Sequence, residues 1–225
     1  MFCGKDRKFG KMTAEHFIPK GMWDGPRPSH TRTVPAHREC NNRYAEDNEY
    51  FRDAIALSES CIRHPEVLKL NLGSIRRKLR KQRGAFIKNF PDMGLKPVYS
   101  ESGLYLGHAP QYTWNWDRIE TVLKNVMKGI FFTLMKHPMP QEMELSIGHI
   151  RDEHDLIQVN QVVNAMCPWT GFGDDVFGCR AVFHSQDKYM FCLMQFYRSE
   201  RFYGRGVLRE ASKYGLSAPA PLLNQ

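Results

Sequence analysis

Apolar and polar positions change period repeatedly along the first ninety residues. Over 13–20 they alternate around His16, Ile18 and Lys20, the two-residue period of a short strand, which Pro19 and Gly21 stop. Gly21, Gly25, Pro26, Pro28 and Ser29 spell a loop, and Thr33-Val34 suit a second short strand. From about Arg38 the spacing turns helical, with Tyr44, Asn48, Phe51, Ile55 and Leu57 roughly one-sided through Ser58. His64-Pro65-Glu66 breaks that segment and starts a helix, because the fixed φ of Pro65 suits a first helical turn. After Gly73, Ser74 reads as the N-cap of a further, strongly basic helix with Ile75 and Leu79 on one face.

Val98-Tyr99 and Leu104-Tyr105-Leu106 flank Glu101-Ser102-Gly103 and predict two short strands around a turn. The clearest periodicity follows. Ile119, Val122, Leu123, Val126, Met127, Ile130, Phe131 and Leu134 recur at helical spacing, capped by Asn115 or Asp117 and ending near His137-Pro138. Trp114 and Trp116 fit packing at the helix entry, with base stacking as the alternative. Glu144–Ile150 reads as a strand, and 155–165 as either a helix or an irregular stretch. Val176–His184 and Tyr189–Tyr197 predict a β-hairpin, and the second strand, apolar on both faces, belongs in the middle of a sheet. Pro219 and Pro221 predict a loose tail. The fold class is α+β, divided as a module over 1–58, a basic helical linker over 59–100 and a C-terminal α+β domain over 101–225.

Composition adds bounds. The chain has 225 residues, 42% hydrophobic and 25% charged, an ordinary globular mixture able to bury a core. No run of about 18 apolar residues predicts a membrane span, and Met1-Phe2-Cys3-Gly4-Lys5 lacks a secretory signal's apolar run, so the expected location is the cytoplasm. Six scattered cysteines in such a chain point to thiols or metal ligands rather than a disulfide framework. Charge is uneven: residues 1–90 carry 19 Lys and Arg against 10 Asp and Glu, and residues 91–225 carry 13 against 14. The basic half would attract a polyanion.

That half also carries the candidate chemistry: Glu15-His16 followed by Pro19, then His37-x-x-Cys40-Asn41. Hydrolysis of a phosphodiester needs an activated water and a cation on the phosphate. An imidazole can take a proton at neutral pH, which makes His16 the candidate general base. His37-x-x-Cys40 has knuckle-like spacing, and Cys3 stands in a Cys-Gly turn. In this order and spacing, residues 3–53 resemble the HNH endonuclease superfamily, whose ββα-metal fold pairs two short strands with a helix. The resemblance implies that Glu15 and Asn41 hold a catalytic divalent cation, Mg²⁺ or Mn²⁺ by the hardness of their oxygens. It also implies a structural Zn²⁺ on Cys3, His37 and Cys40, the fourth position falling to His30, His64, a water or an upstream residue. Arg32 stands nearest to the family's central Asn, where it would hold a phosphate instead.

Arg76, Arg77, Lys78, Arg80 and Lys81 would contact the backbone of a nucleic acid, double-stranded DNA first. The activity implied is metal-dependent endonuclease cleavage. The alternative is a nucleic-acid-binding protein on an HNH scaffold without catalysis.

Overall fold

The computed structural model describes residues 10–28, 32–81, 83–100, 102–164, 170–172, 176–184 and 189–208. The architecture is α+β, with three separate antiparallel sheets and a helical layer between them. Strands β1 (Met12–His16) and β2 (Thr33–His37) form the first, in the register Met12↔His37 to His16↔Thr33. Helix α1 (Arg38–Arg43) continues directly from β2, and after the bend at Tyr44 helix α2 (Ala45–Ala56) runs into the core with Tyr50, Phe51, Ala54 and Ile55 buried.

Helix α3 (Pro65–Leu70) begins where Pro65 predicts. His64 caps it, Nδ1 accepting from the Glu66 amide at 3.2 Å. The expected N-cap at Ser74 is corrected. The helix does not restart there but passes through a π-helical segment, Asn71–Ile75, into α4 (Arg76–Lys81). The loop after β1 supports that segment: Asp24 accepts from the Ser74 amide at 3.2 Å, and its own amide donates to Glu66 at 2.8 Å. A Cβ on Gly73 would lie 2.3 Å from the Asp24 carboxylate, so glycine is what lets loop and helix meet. Ile75 is buried as the pattern predicts, whereas Leu79 is exposed. Helix α5 is Arg83–Asn89.

Strands β3 (Gly94–Tyr99) and β4 (Tyr105–Gln111) form a hairpin whose turn carries Gly103 at φ +83°. The expected division at residue 100 falls inside that hairpin, where Ser100 and Leu104 are bonded, so the chain does not part there. Helix α6 (Trp116–Met135) is capped by Asn115 Oδ1 and ends at Lys136 in the left-handed region. The third sheet has the order β5-β9-β8-β7-β6, from β5 (Met143–Ile150), β6 (Thr170–Phe172), β7 (Phe177–His184), β8 (Tyr189–Phe196) and β9 (Glu200–Leu208). The doubly apolar β8 is its central strand. Residues 153–164, left open by the pattern, form helix α7.

Helix α6 lies between the two halves, touching α2 and β2 on one side and β5 and β9 on the other. One continuous apolar core runs from Phe17, Met22 and Val34 through Phe51 and α6 to Phe177, Phe196 and Phe202. The first 58 residues therefore share their core with the C-terminal sheet, contrary to the expected separation. A ββα unit this small has too little surface to bury on its own, and this one borrows the rest. Among the described residues, no helix is long and apolar enough to cross a membrane. The expected loose tail lies outside the described residues.

Candidate functional site

Strand β1, the loop after it and the start of α1 build the site. Glu15 faces inward from β1 opposite Val34 and is buried. Asn41, in the first turns of α1, reaches back across the ribbon and donates from Nδ2 to Glu15 Oε2 at 2.5 Å. The two residues expected to share a cation are therefore adjacent, although 26 positions separate them. Their meeting follows from the β2–α1 junction: the Arg38 amide donates to the Lys11 carbonyl at 2.9 Å, which folds the helix start against the beginning of β1.

Burial pushes the Glu15 carboxyl above its ordinary value, against the pull of Lys20, the Asn41 amide and Arg27. A carboxylate withdrawn from water into this setting gains from a cation. The donor set of a buried carboxylate and an amide oxygen suits a hard divalent ion. Glu15 and Asn41 fit that ion.

His16 is the next residue on the strand, so it leaves the ribbon by the opposite face and stays partly exposed. Burial, then Arg27 and Lys20, hold its imidazole below the usual histidine value, while a hydrogen bond with the Arg32 backbone opposes them. The same two cations act on Glu15 and on His16, so both side chains sit within reach of the Lys20–Arg27 loop. Polar capacity is left over here. His16 Nδ1 and Arg27 Nη1 are buried without a hydrogen-bond partner. Buried polar atoms without a partner call for an explanation, and a polar species held at this loop is one.

His37 is buried at the end of β2, paired in register with Met12, and Cys40 lies one turn further along α1 in a half-buried position. Cys3 and His30, expected at the zinc site, lie outside the described residues. His64, another fourth-ligand candidate, is occupied as the cap of α3, with its ring 5.2 Å from that of Tyr197. Among the described residues, the group of three acidic or imidazole side chains close enough to share an ion is Asp152, His154 and Asp155. Asp152 there caps α7 through the Asp155 amide at 2.8 Å, an ordinary helix start. None of the expected ligands belongs to that group.

The basic helix divides. Arg76, Arg77, Arg80 and Lys81 are exposed, with Arg77 3.8 Å from Asp24 at the longest reach of an ion pair. Arg32 is exposed beside β2. Lys78 departs from the expectation of a phosphate contact. Its ammonium turns inward to Asp53 at 2.8 Å and Glu49 at 3.0 Å, and the side chain is 9% exposed. Asp53 is fully buried and also bonded by Arg52, so two cations answer that one carboxylate. The partner of Lys78 lies 25 residues earlier, so nothing local in the sequence marks this inward turn.

A second polar cluster has no sequence signal. Glu200 starts β9 in a buried position and accepts from Ser58 at 2.7 Å, from Ser60 and from His149. Burial would push its carboxyl up, but the bonds from His149, Ser60 and Ser58 together hold it below the usual carboxylate value. Nothing local in the sequence marks His149, because its partner lies 51 residues away. Cys61 and Cys179 are buried thiols pushed up to about 12, so neither is a reactive thiolate at neutral pH.

No family model, no curated protein and no solved structure matches this chain.

Proposed function

We propose that this protein is a metal-dependent endonuclease of HNH type acting on DNA. In this reading Glu15 and Asn41 hold a Mg²⁺ or Mn²⁺ ion, His16 accepts the proton of the attacking water, and Arg32, Arg76, Arg77, Arg80 and Lys81 meet the phosphate backbone. The observation that carries the reading is the Asn41–Glu15 contact at 2.5 Å, which brings together the two residues that the family resemblance assigns to one ion. Three further features support it. A lowered imidazole pKa keeps His16 neutral, the form a general base needs. The cations Lys20 and Arg27 act on both Glu15 and His16, and a phosphate bound beside those two would gain from them. The uneven charge places the excess of Lys and Arg in the same half of the chain.

The ion would supply Lewis-acid stabilisation of the phosphate and of the departing oxygen. The chain's own residues orient the ion, hold the scissile group against the loop and carry the proton. A structural Zn²⁺ on His37 and Cys40 with Cys3 remains part of this proposal. The test is plasmid nicking by purified protein with EDTA, Mg²⁺ or Mn²⁺, wild type beside His16→Ala. Metal-dependent nicking lost in the variant supports the assignment. A folded, metal-supplied protein that binds DNA without nicking it would move the reading to a nucleic-acid-binding scaffold.

A further inference from the structure

The β3–β4 hairpin forms a sheet of its own, and its large side chains are open to solvent. Leu95 is 73% exposed, Leu104 66% and Leu106 62%, with Tyr99 at 59% and Tyr105 at 50%. Two strands alone have no core. Such a hairpin holds in water when a further strand, a helix or another layer covers one of its faces. Apolar side chains this exposed and this close together mark a docking surface.

The register decides which of them share a face. Neither Pro97 nor Pro110 can donate to the ladder, so Pro97↔His108 and Leu95↔Pro110 are its non-hydrogen-bonded pairs. The two members of a pair stand on the same side of the ribbon, and positions two apart along a strand do too. Leu95, Pro97, Tyr99 and His108 therefore share a face, while Lys96 and Val98 alternate onto the other. Ring contacts add Tyr105 to the first face. Its centroid lies 5.7 Å from that of Tyr99 and 5.6 Å from that of His108, and its hydroxyl shares a hydrogen bond with His108 Nδ1 at 2.6 Å. The three rings hold one another, which leaves little to order on binding.

Backbone and charge select the occupant. At the non-hydrogen-bonded pairs the main-chain groups point away from the ladder, and there β3 presents Pro97 and β4 presents Pro110, neither with an N–H. Proline on both free edges opposes the addition of a further strand, so a partner meets the face instead. That face carries no Lys, Arg, Asp or Glu, in a chain of net charge +8, and it offers nothing to a phosphate backbone or to an acidic peptide. A two-fold axis sets a face against its own copy, where any charge would meet its like. A neutral, apolar face suits such an axis. Two hairpins stacked in this way also give each other the second layer that each lacks.

We propose that the face of the β3–β4 hairpin carrying Leu95, Tyr99, Tyr105 and His108 docks a second copy of this chain, face to face about a two-fold axis. A stable interface of standard size buries about 800 Å² per partner. One face of a short hairpin supplies less, so this pairing belongs to the micromolar range of concentration. The proposal stands whether or not Glu15 and His16 cut phosphodiesters.

The experiment is sedimentation velocity of the full chain from about 1 to about 200 µM, in about 0.1 M and about 1 M salt. Wild type is compared with Leu95→Glu and Tyr99→Glu, which put a charge on the face. Ile87→Glu puts one at an exposed apolar position outside the hairpin and serves as the control. A reversible monomer–dimer equilibrium is expected, no weaker at the higher salt. Leu95→Glu and Tyr99→Glu should each weaken it at least ten-fold, with melting temperature and circular dichroism spectrum unaltered, and Ile87→Glu should leave it unchanged. A monomer at every concentration would overturn the proposal, as would a dimer that survives both face variants or that Ile87→Glu weakens equally. A monomer whose affinity for duplex DNA falls in Tyr99→Glu would overturn it too, and would give the face to nucleic acid.

Discussion

The Lys78 ammonium closes on the Asp53 carboxylate at 2.8 Å, across the gap between the basic helix α4 and the core-facing side of α2. One cation of a run of five thus belongs to the fold, and the other four face solvent. Lys78→Ala should cost about 1.5–3 kcal/mol, the usual worth of a hydrogen bond to a charged group, because Arg52 still answers the Asp53 carboxylate. Arg80→Ala should leave the melting temperature nearly unchanged and lower DNA affinity, reducing the salt slope by about one. Thermal melts beside salt-dependent binding of a duplex would check both. Equal loss of stability in the two variants would contradict this division.

Glu15→Gln removes the charge that draws an ion but keeps the size of the side chain. Metal-stimulated nicking should fall to background in it, and His16→Ala should lose about 10²–10⁴-fold. Asn41→Ala should weaken the apparent affinity for Mg²⁺ more than it lowers the rate at saturating metal. Rates measured across a metal titration separate these effects. Full activity in Glu15→Gln would remove the cation from this site.

The acidic limb of the pH–rate profile reports the same site. A general base works only when neutral, and burial with Arg27 and Lys20 lowers the His16 pKa, so its limb should lie below the ordinary histidine value of 6.5. Glu15, raised above 4.5, loses its charge on that same side. Arg27→Met removes a cation that lowers both values, so the limb should move to higher pH. A limb that stays in place, or moves toward acid, would separate Arg27 from the titrating groups.

Gly129 of α6 faces Phe17, the residue after β1, and a Cβ there would lie 2.2 Å from the Phe17 side chain. Gly129→Ala should destabilise by about 1–3 kcal/mol through overpacking. It should also lower nicking, because Phe17 directly follows His16. A denaturant titration and the nicking rate check the pair of effects. Unchanged stability would mean that Phe17 has room to retreat.

Local pattern carried much of the architecture into view. Pro65 at the start of α3, Asn115 capping α6 and the doubly apolar β8 in mid-sheet all act through neighbours a few residues away. Strand β9 carries little alternation in the sequence, although it lies beside β8. Its alternate positions Gly204 and Gly206 carry no apolar side chain to mark the period, because α6 and β5 side chains press against them. Ser74 looks like a cap because the serine is local, while the Asp24 that supports the π-helical segment lies 50 residues earlier. The meeting of Glu15 and Asn41 was to be expected only through the family resemblance, because no local pattern joins positions 26 residues apart. The inward turn of Lys78 and the Ser58–Glu200–His149 cluster depend on partners that only the folded chain brings together.

The Tyr197 hydroxyl donates to the Met22 carbonyl at 2.7 Å, joining positions 175 residues apart. At a synthesis rate of about 5–20 residues per second, the ribosome needs roughly 9–35 s to make the intervening chain. During that interval the Lys20–Met22 turn lacks its anchor, and Phe17 lacks Gly129 and Phe177 to close over it. The nascent N-terminal segment, basic and with its apolar side chains uncovered, is therefore open to non-native contacts over that interval. The support behind the candidate site is thus supplied by residues made well after the site's own.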